Sequence, residues 1–280
     1  MRIKYSCVVD NKAHFQLQGW LWLCSLIQFG KIEPSNIYIH CIVGTPKKIL
    51  EKFSGTGANV LLIEPFGDKK YCNKIMQLSS EGLVDSDAIV LMDTDMIMLK
   101  NFEDTIDENY VSGKIVYFSN PETPTIDALF GLAGLKKTLP DVAIESDGEY
   151  FTYGANFNGG LYIIPKDYYA PIKFGWEKWA IWLLENGEPL REAKKEANID
   201  QVGFCMTIHE KNIPIKYLDR RYNYHVLFDL GESCAPYVLH YHAQTDESGC
   251  LALDYAPKGA IKEAVEAANG LIKKNIKNFL

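Results

Sequence analysis

The stretch Ala88-Ile89-Val90-Leu91-Met92-Asp93-Thr94-Asp95-Met96-Ile97-Met98-Leu99 constrains this chain more than any other. Five apolar residues lead into two carboxylates spaced one residue apart, and four apolar residues follow. A run this short and this apolar predicts a strand buried on both faces, as in a parallel sheet. Side chains two apart along a strand share a face, so Asp93 and Asp95 should project to one side where the strand leaves the core. Two neighbouring carboxylates repel each other, and burial penalises their charge. A hard divalent cation, Mg²⁺ or Mn²⁺, removes both costs, because it takes oxygen ligands and bridges to phosphate oxygens. The stretch therefore predicts a metal site suited to a diphosphate.

The surrounding pattern predicts the sheet. Strands are expected over residues 3–9, 36–43, 58–63 and 88–92, with helices over 14–29, 47–54 and 71–83 between them. Strands alternating with helices predict an α/β fold, a mostly parallel sheet covered by helices on both faces. Ligands in such folds bind beyond the carboxyl ends of the strands. Asp10 and Asp93 both stand at such ends, which points to a common site. Further strands are expected over 115–118, 155–164, 213–218 and 237–241, and helices over 126–135, 167–186, 198–209 and 263–280. Trp176, Trp179 and Trp182 recur at helical spacing and read as core. With no repeat, low-complexity tract or linker, one domain over 1–280 is expected. Its parts would be a nucleotide half (1–100), an acceptor half (101–250) and a C-terminal helix (256–280).

Composition narrows the function. A formal net charge of −7 argues against a general nucleic-acid binder. The seven cysteines, at positions 7, 24, 41, 72, 205, 234 and 250, form no C-x-x-C pair, which predicts free thiols in a reducing cytoplasm and no structural zinc. Residues 1–5 lead straight into a strand with no signal peptide, and no apolar run is long enough to cross a membrane. These features predict a cytoplasmic protein. In the C-terminal segment Leu271, Ile272, Ile276, Phe279 and Leu280 alternate with Lys273, Lys274 and Lys277. That pattern fits either a terminal helix packed on the domain or a basic amphipathic helix at the inner face of a membrane.

Several motifs resemble one family. The apolar strand ending in Asp93-Thr94-Asp95 resembles the DxD motif of GT-A glycosyltransferases. Asn156-Phe157-Asn158-Gly159-Gly160 is similar to the FNSG strand of the family 8 group, which includes glycogenin and the lipopolysaccharide galactosyltransferases. Asn198-Ile199-Asp200-Gln201 resembles that group's DQ segment, and Val238-Leu239-His240-Tyr241-His242 its late strand with a metal-binding histidine. Asn73-Lys74 is similar to an Asn-Lys near the donor pocket, and Tyr222-Asn223 to the group's YN. All occur in the family's order. Two features depart from the pattern: Ala243-Gln244-Thr245-Asp246 replaces the usual Gly-x-x-Lys-Pro-Trp, leaving the diphosphate-contacting lysine unassigned, and the first strand ends in a single Asp10 followed by Asn11.

The resemblance implies a metal-dependent hexosyltransferase (EC 2.4) with a nucleotide-sugar donor, UDP-linked, and retention of anomeric configuration. Asp93, Asp95 and His240 would hold the cation. Mn²⁺ is favoured over Mg²⁺ because histidine is the softer ligand. Asp10, Asn73, Lys74, Asp93, Thr94, Gly159 and Gly160 would face the donor; Asp200, Gln201 and Asn158 would act at the sugar. Other readings stand beside these: His240 as a satisfied strand histidine, Asp200 as a helix N-cap, Gly159-Gly160 as a bulge, and Lys74 as a solvated helix residue. His242 is a second metal candidate, while His225 has only its nearness to Tyr222-Asn223. An inverting enzyme would need a carboxylate base, for which Asp200 and Asp246 are available. The acceptor, whether sugar, lipid-linked or protein, is left open, as is a homo-oligomer.

Other classes fit less well. Haloacid-dehalogenase phosphatases carry their DxD after the first strand, whereas three strands precede it here, and Gly67-Asp68-Lys69-Lys70 lacks their second acid. A nucleotidyltransferase would show a glycine-rich basic loop after the first strand, and Asp10-Asn11-Lys12 is none. A nucleotide-sugar-binding protein on a degenerate transferase scaffold is the non-enzymatic alternative.

Overall fold

The computed structural model describes residues 1–144, 147–229 and 234–279. In chain order it contains β1 (Ile3–Val9), α1 (Ala13–Gln28), β2 (Ile37–Ile42), α2 (Lys47–Ser54), β3 (Asn59–Ile63), α3 (Glu81–Val84), β4 (Ala88–Met92), β5 (Met96–Met98) and β6 (Val111–Ile115). There follow α4 (Thr123–Ala133), β7 (Val142–Ile144), β8 (Asp147–Thr152), β9 (Phe157–Pro165), α5 (Tyr169–Asn186), α6 (Glu188–Glu192) and α7 (Ile199–Lys211). The chain closes with β10 (Ile215–Tyr217), β11 (Tyr224–His225), β12 (Val238–His240) and α8 (Gly259–Asn275). Seven strands form one sheet in the order β10-β6-β9-β4-β1-β2-β3, and β11-β12-β5 form a second of three strands. In the large sheet β1, β2 and β3 pair in parallel, as do β10 and β6, while β6 and β9 are antiparallel. This is the mixed, mostly parallel α/β architecture expected from the alternation.

The residues group into two compact units, neither contiguous in sequence. The first takes Met1–Arg2, Pro65–Ile89 and Asp107–Tyr217; the second takes Ile3–Glu64, Val90–Ile106 and Leu218–Leu280. In the second unit, β2 is buried at every residue and α1 closes over β1. A Cβ at Gly19 would stand 2.6 Å from Val9 Cγ2, so glycine is what lets this helix approach the strand. In the first unit α5 packs on α7 with the same device: a Cβ at Gly175 would meet Thr207 Cγ2 at 2.4 Å. Trp176 and Trp179 are buried there, in agreement with the core reading of the stripe.

Two expectations fail for physical reasons, and a third point, open between two readings, is decided. The helix over 71–83 is a 3₁₀ segment, Tyr71–Ser79, followed by the short α3. Asp68 accepts backbone N–H bonds from Lys70 and Cys72 at its start, and Ser79-Ser80 favour leaving the helix. The strand over 115–118 lies earlier, at β6, because Ser112-Gly113-Lys114 conceals it. Lys114 is nonetheless buried, its Nζ donating to Ile115 O at 2.9 Å and lying 3.4 Å from the Tyr117 ring centroid. The third concerns α8, whose apolar residues Ile261, Val265, Ala268, Leu271 and Ile272 join one hydrophobic cluster with Leu21 and Cys24 of α1. Trp20 Nε1 also donates to Asn275 O at 3.2 Å. The exposed side carries Lys262, Glu263, Glu266, Lys273 and Lys274, so the helix keeps no apolar stripe for a lipid surface. Of the two readings of this segment, the terminal helix packed on the domain is the one found. Among the described residues no helix is long and apolar enough to cross a membrane. All seven cysteines are free, as expected.

Candidate active site

The aspartates and the late-strand histidine come together in the second unit. β4 ends at Met92, and the chain turns through Asp93-Thr94-Asp95 into β5, which joins the small sheet. There β5 pairs antiparallel with β12, placing His240 opposite Met96, and Tyr241 N–H donates to Asp95 O at 3.0 Å. β11 pairs with β12 on its other edge, placing His225 opposite His240. Ligand atoms of Asp93, Asp95 and His240 all lie within 4.8 Å of one another. Bonds of about 2.1 Å to one octahedral ion separate its ligands by about 3 to 4.2 Å, so the spread suits a single cation.

The hydrogen bonding sharpens the fit. Asn223 Oδ1 can only accept, so the 2.9 Å contact to His240 Nδ1 assigns the ring proton to that nitrogen. With that proton on Nδ1, Nε2 is the nitrogen turned toward Asp95 Oδ1, 3.3 Å away. A proton on Nε2 makes this contact an ion pair, and a metal ion in its place would bridge the same two atoms. Burial pushes the Asp95 carboxyl up, but His240 and then His242 overcome it and hold it down at about 2. His242 Nδ1 lies 3.7 Å from the other carboxylate oxygen. Burial, reinforced by His240 and opposed by Asp95, pushes His242 down to about 4, leaving a neutral imidazole.

Asp10 and Thr94 belong to the same unit. Asp87 N–H donates to Arg2 O at 2.8 Å, setting the starts of neighbouring β1 and β4 side by side. The strands therefore run together, and Asp10 and Asp93 leave them at the same end. Asp10 Oδ1 accepts from Lys12 N–H at 3.2 Å in a turn. Thr94 is buried, its hydroxyl directed at Gln18 Oε1 of α1 at 3.5 Å. Asp85 and Asp87, which repeat the Asp-x-Asp spacing, tie down Arg2 through its guanidinium and backbone N–H.

The remaining candidates cluster in the first unit. Lys74 Nζ donates to Gly159 O at 2.9 Å and stands 3.3 Å from Asp200 Oδ2, with both side chains largely buried. Lys74 is thus no solvated helix residue. Asp200 is no N-cap either, since Asn198 occupies that position without a side-chain capping bond. Trp176 Nε1 donates to Asp200 O at 2.6 Å and fixes the start of α7. Gln201 Nε2 donates to Asn120 O at 2.7 Å and to Asn156 Oδ1 at 2.9 Å. Asn73 is buried with its Oδ1 accepting from Phe66 N–H, which latches a loop.

At Asn158-Gly159-Gly160 the strand is bulged. Ser112 and Gly113 pair with Ile163 and Tyr162, but Ile115 pairs with Phe157, so β9 advances five residues while β6 advances two. Asn158 Oδ1 accepts from Gly160 N–H at 3.0 Å and steadies the bulge. Asp246 accepts from Ser248 N–H, Ser248 Oγ and Cys250 N–H within its own turn.

Sequence reasoning gave Asn223 no role and His225 little weight. The only signal for Asn223 was the Tyr222-Asn223 pair, whose meaning appears once β11 and β12 align.

No family model matches this chain, and no curated protein does so. Solved structures do. Galactosyltransferase LgtC in complex with donor and acceptor sugar analogues superposes with a TM-score of 0.57 at 13% identity, covering 97% of this chain and 95% of that one. Glycosyltransferase GlyE of Streptococcus pneumoniae TIGR4 gives 0.56 at 15% identity, and the chain spans only 64% of it. Mouse xyloside xylosyltransferase 1 gives 0.52 at 12% identity, covering 88% of this chain and 99% of that one. The fold is therefore the GT-A fold of these glycosyltransferases.

Proposed function

We propose that this protein transfers a sugar from a nucleotide sugar, UDP-linked, to an acceptor hydroxyl, using Mn²⁺ or Mg²⁺ and retaining the anomeric configuration. The observation that carries the reading is the Asp93–Asp95–His240 group, with His240 Nε2 and an Asp95 carboxylate oxygen facing each other at 3.3 Å. A cation held there supplies Lewis-acid neutralisation of the charge that builds on a departing diphosphate. Asp93 and Asp95 offer the hard oxygen donors, and Asn223 keeps the His240 ring turned with Nε2 forward. The imidazole in this set favours Mn²⁺ over Mg²⁺.

Asp10, at the end of β1, is assigned to the nucleoside. Lys74 balances the charge of Asp200 and is itself anchored on Gly159 O. That pairing keeps Asp200 ionised as a hydrogen-bond acceptor for sugar hydroxyls. Gln201 and Asn158 spend amide groups on Asn156, Asn120 and Gly160, so they shape the sugar-facing backbone as positioning residues. Retention is supported by the state of Asp200 and Asp246, the two carboxylates available to an inverting enzyme as its single base. Asp200 is salt-bridged, and the Ser248 hydroxyl leads the contacts that hold Asp246 below the usual carboxylate range, where it is a poor proton acceptor.

The test is a thermal-shift screen of nucleotide sugars with Mn²⁺ and with EDTA, followed by an assay for nucleotide release. Stabilisation by a UDP-sugar only when Mn²⁺ is present, with UDP released over time, is expected. Equal stabilisation in EDTA would overturn the metal dependence. Tight metal-dependent binding with neither hydrolysis nor transfer would make the protein a binder on this scaffold.

A further inference from the structure

A second set of ligands adjoins the first and shares one member with it. His225, His240 and His242 each present a ring nitrogen, and these atoms lie within 4.8 Å of one another. The backbone builds the set: His225 closes β11 opposite His240 of β12, and His242 follows two residues on with a left-handed φ of 50°. That conformation is uncommon for a residue bearing a Cβ, and such strain gathers at ligand clamps. The ring centroids are 4.7 Å (His225–His240), 4.6 Å (His225–His242) and 3.9 Å (His240–His242) apart. His242 Nε2 stands 3.1 Å from His225 Nδ1, a contact that one shared proton makes and that a bound ion would replace. His225 and His240 are buried, while the His242 side chain is 32% exposed and marks the way in.

We infer that His225, His240 and His242 form a binding site for a borderline transition-metal ion of the Zn²⁺ class, distinct in its ligands from the two-carboxylate set. Three imidazoles with one open position are a zinc donor set, whereas paired carboxylates suit Mg²⁺ and Mn²⁺. Asp95 Oδ2, 3.7 Å from His242 Nδ1, supplies negative charge beside the three rings. His240 Nδ1 is committed to Asn223, so Nε2 is the one nitrogen it can offer, and it can serve only one ion at a time. Zinc on the three histidines therefore takes His240 away from Asp93 and Asp95. Inhibition of the transferase by zinc would rest on the reading in the preceding section; the zinc site itself does not.

The experiment uses chelator-stripped full-length protein without nucleotide. Zn²⁺ binding is measured by calorimetry, and Co²⁺ is used as a probe whose visible ligand-field bands report nitrogen-rich tetrahedral coordination. His225→Gln and His242→Gln should each weaken Zn²⁺ by at least the roughly 10- to 100-fold that loss of an outer-shell partner costs, and should bleach the Co²⁺ bands. Asp93→Asn should leave Zn²⁺ binding in place while abolishing Mn²⁺ binding. In the unsubstituted protein, Zn²⁺ should move the imidazole NMR signals of all three histidines, a readout independent of whether the variants fold. Unchanged Zn²⁺ affinity in both histidine variants, dependence of Zn²⁺ on Asp93, or imidazole signals that do not move would overturn the site. Zinc binding without any Mn²⁺ binding would instead leave the site standing and count against the transferase reading.

Discussion

Asn223 Oδ1 and His240 Nδ1 are 2.9 Å apart, and that contact decides which nitrogen of His240 faces the aspartates. An amide oxygen cannot donate, so Nδ1 carries a proton there and Nε2 is the nitrogen left to face Asp95. The proposed cation site thus depends on a residue that would stand behind a ligand and not on the ion itself.

Replacing Asn223 with Ala frees the ring to take the other tautomer and to rotate. Mn²⁺ affinity, measured by calorimetry with UDP present, should fall about 10- to 100-fold, the usual effect of losing a partner behind a ligating histidine. Asn223→Asp keeps an acceptor at the same place and should restore most of that affinity. Equal affinities in wild type and Asn223→Ala would sink the positioning role.

Asp95 carries a second expectation. Its carboxylate meets both His240 and His242, and these hold it ionised despite burial. Asp95→Ala should abolish the Mn²⁺-dependent thermal shift given by nucleotide sugars while far-UV circular dichroism stays unchanged. Donor affinity that survives the substitution would refute the metal assignment.

The parts of this arrangement differed in how far the sequence revealed them. β1, β2 and β4 were legible because each is a short, largely apolar run and burial on both faces demands such runs, while β3 shows the same run at the sheet edge, where Leu62 is exposed. β6 was not, because Gly113 and Lys114 break the run, and only the folded chain shows Lys114 buried against Tyr117. Asp93 and Asp95 were readable from strand alternation alone. The role of Asn223 depends on the pairing of β11 with β12, a contact between segments remote in sequence that no local pattern encodes. His242 was a candidate by spacing, but no local pattern foretold its left-handed backbone.

Lys74 and Asp200 make a largely buried ion pair, 3.3 Å apart. Removing one partner from such a pair leaves a buried charge uncompensated and costs about 3 to 5 kcal/mol. Lys74→Met should therefore shift the urea midpoint downward by an amount of that order. The double substitution Lys74→Met with Asp200→Asn, which removes both charges, should recover a large part of the loss. A change within about 0.5 kcal/mol for Lys74→Met, the size expected of a solvated surface residue, would contradict the pairing.

His40, in the middle of β2, sets an acid limit on stability. Its side chain is fully buried, with Nδ1 3.0 Å from Ser6 Oγ. Burial pushes its pKa down to about 4, against a smaller upward pull from a backbone bond at Cys7. The folded value lies below the unfolded value of about 6.5, so the folded state prefers the neutral ring. The stabilisation is complete above the unfolded pKa and is lost as pH falls from about 6.5 to about 4. A shift of this size amounts to about 3 kcal/mol at most. Urea denaturation at pH 7 and pH 4.5 should show the wild-type protein losing more stability than His40→Gln, whose side chain has no proton to gain. The variant will be weaker at pH 7 through altered packing, so the difference between the two pH slopes is the quantity to read. Parallel slopes would show that His40 is not the group whose protonation opposes the fold.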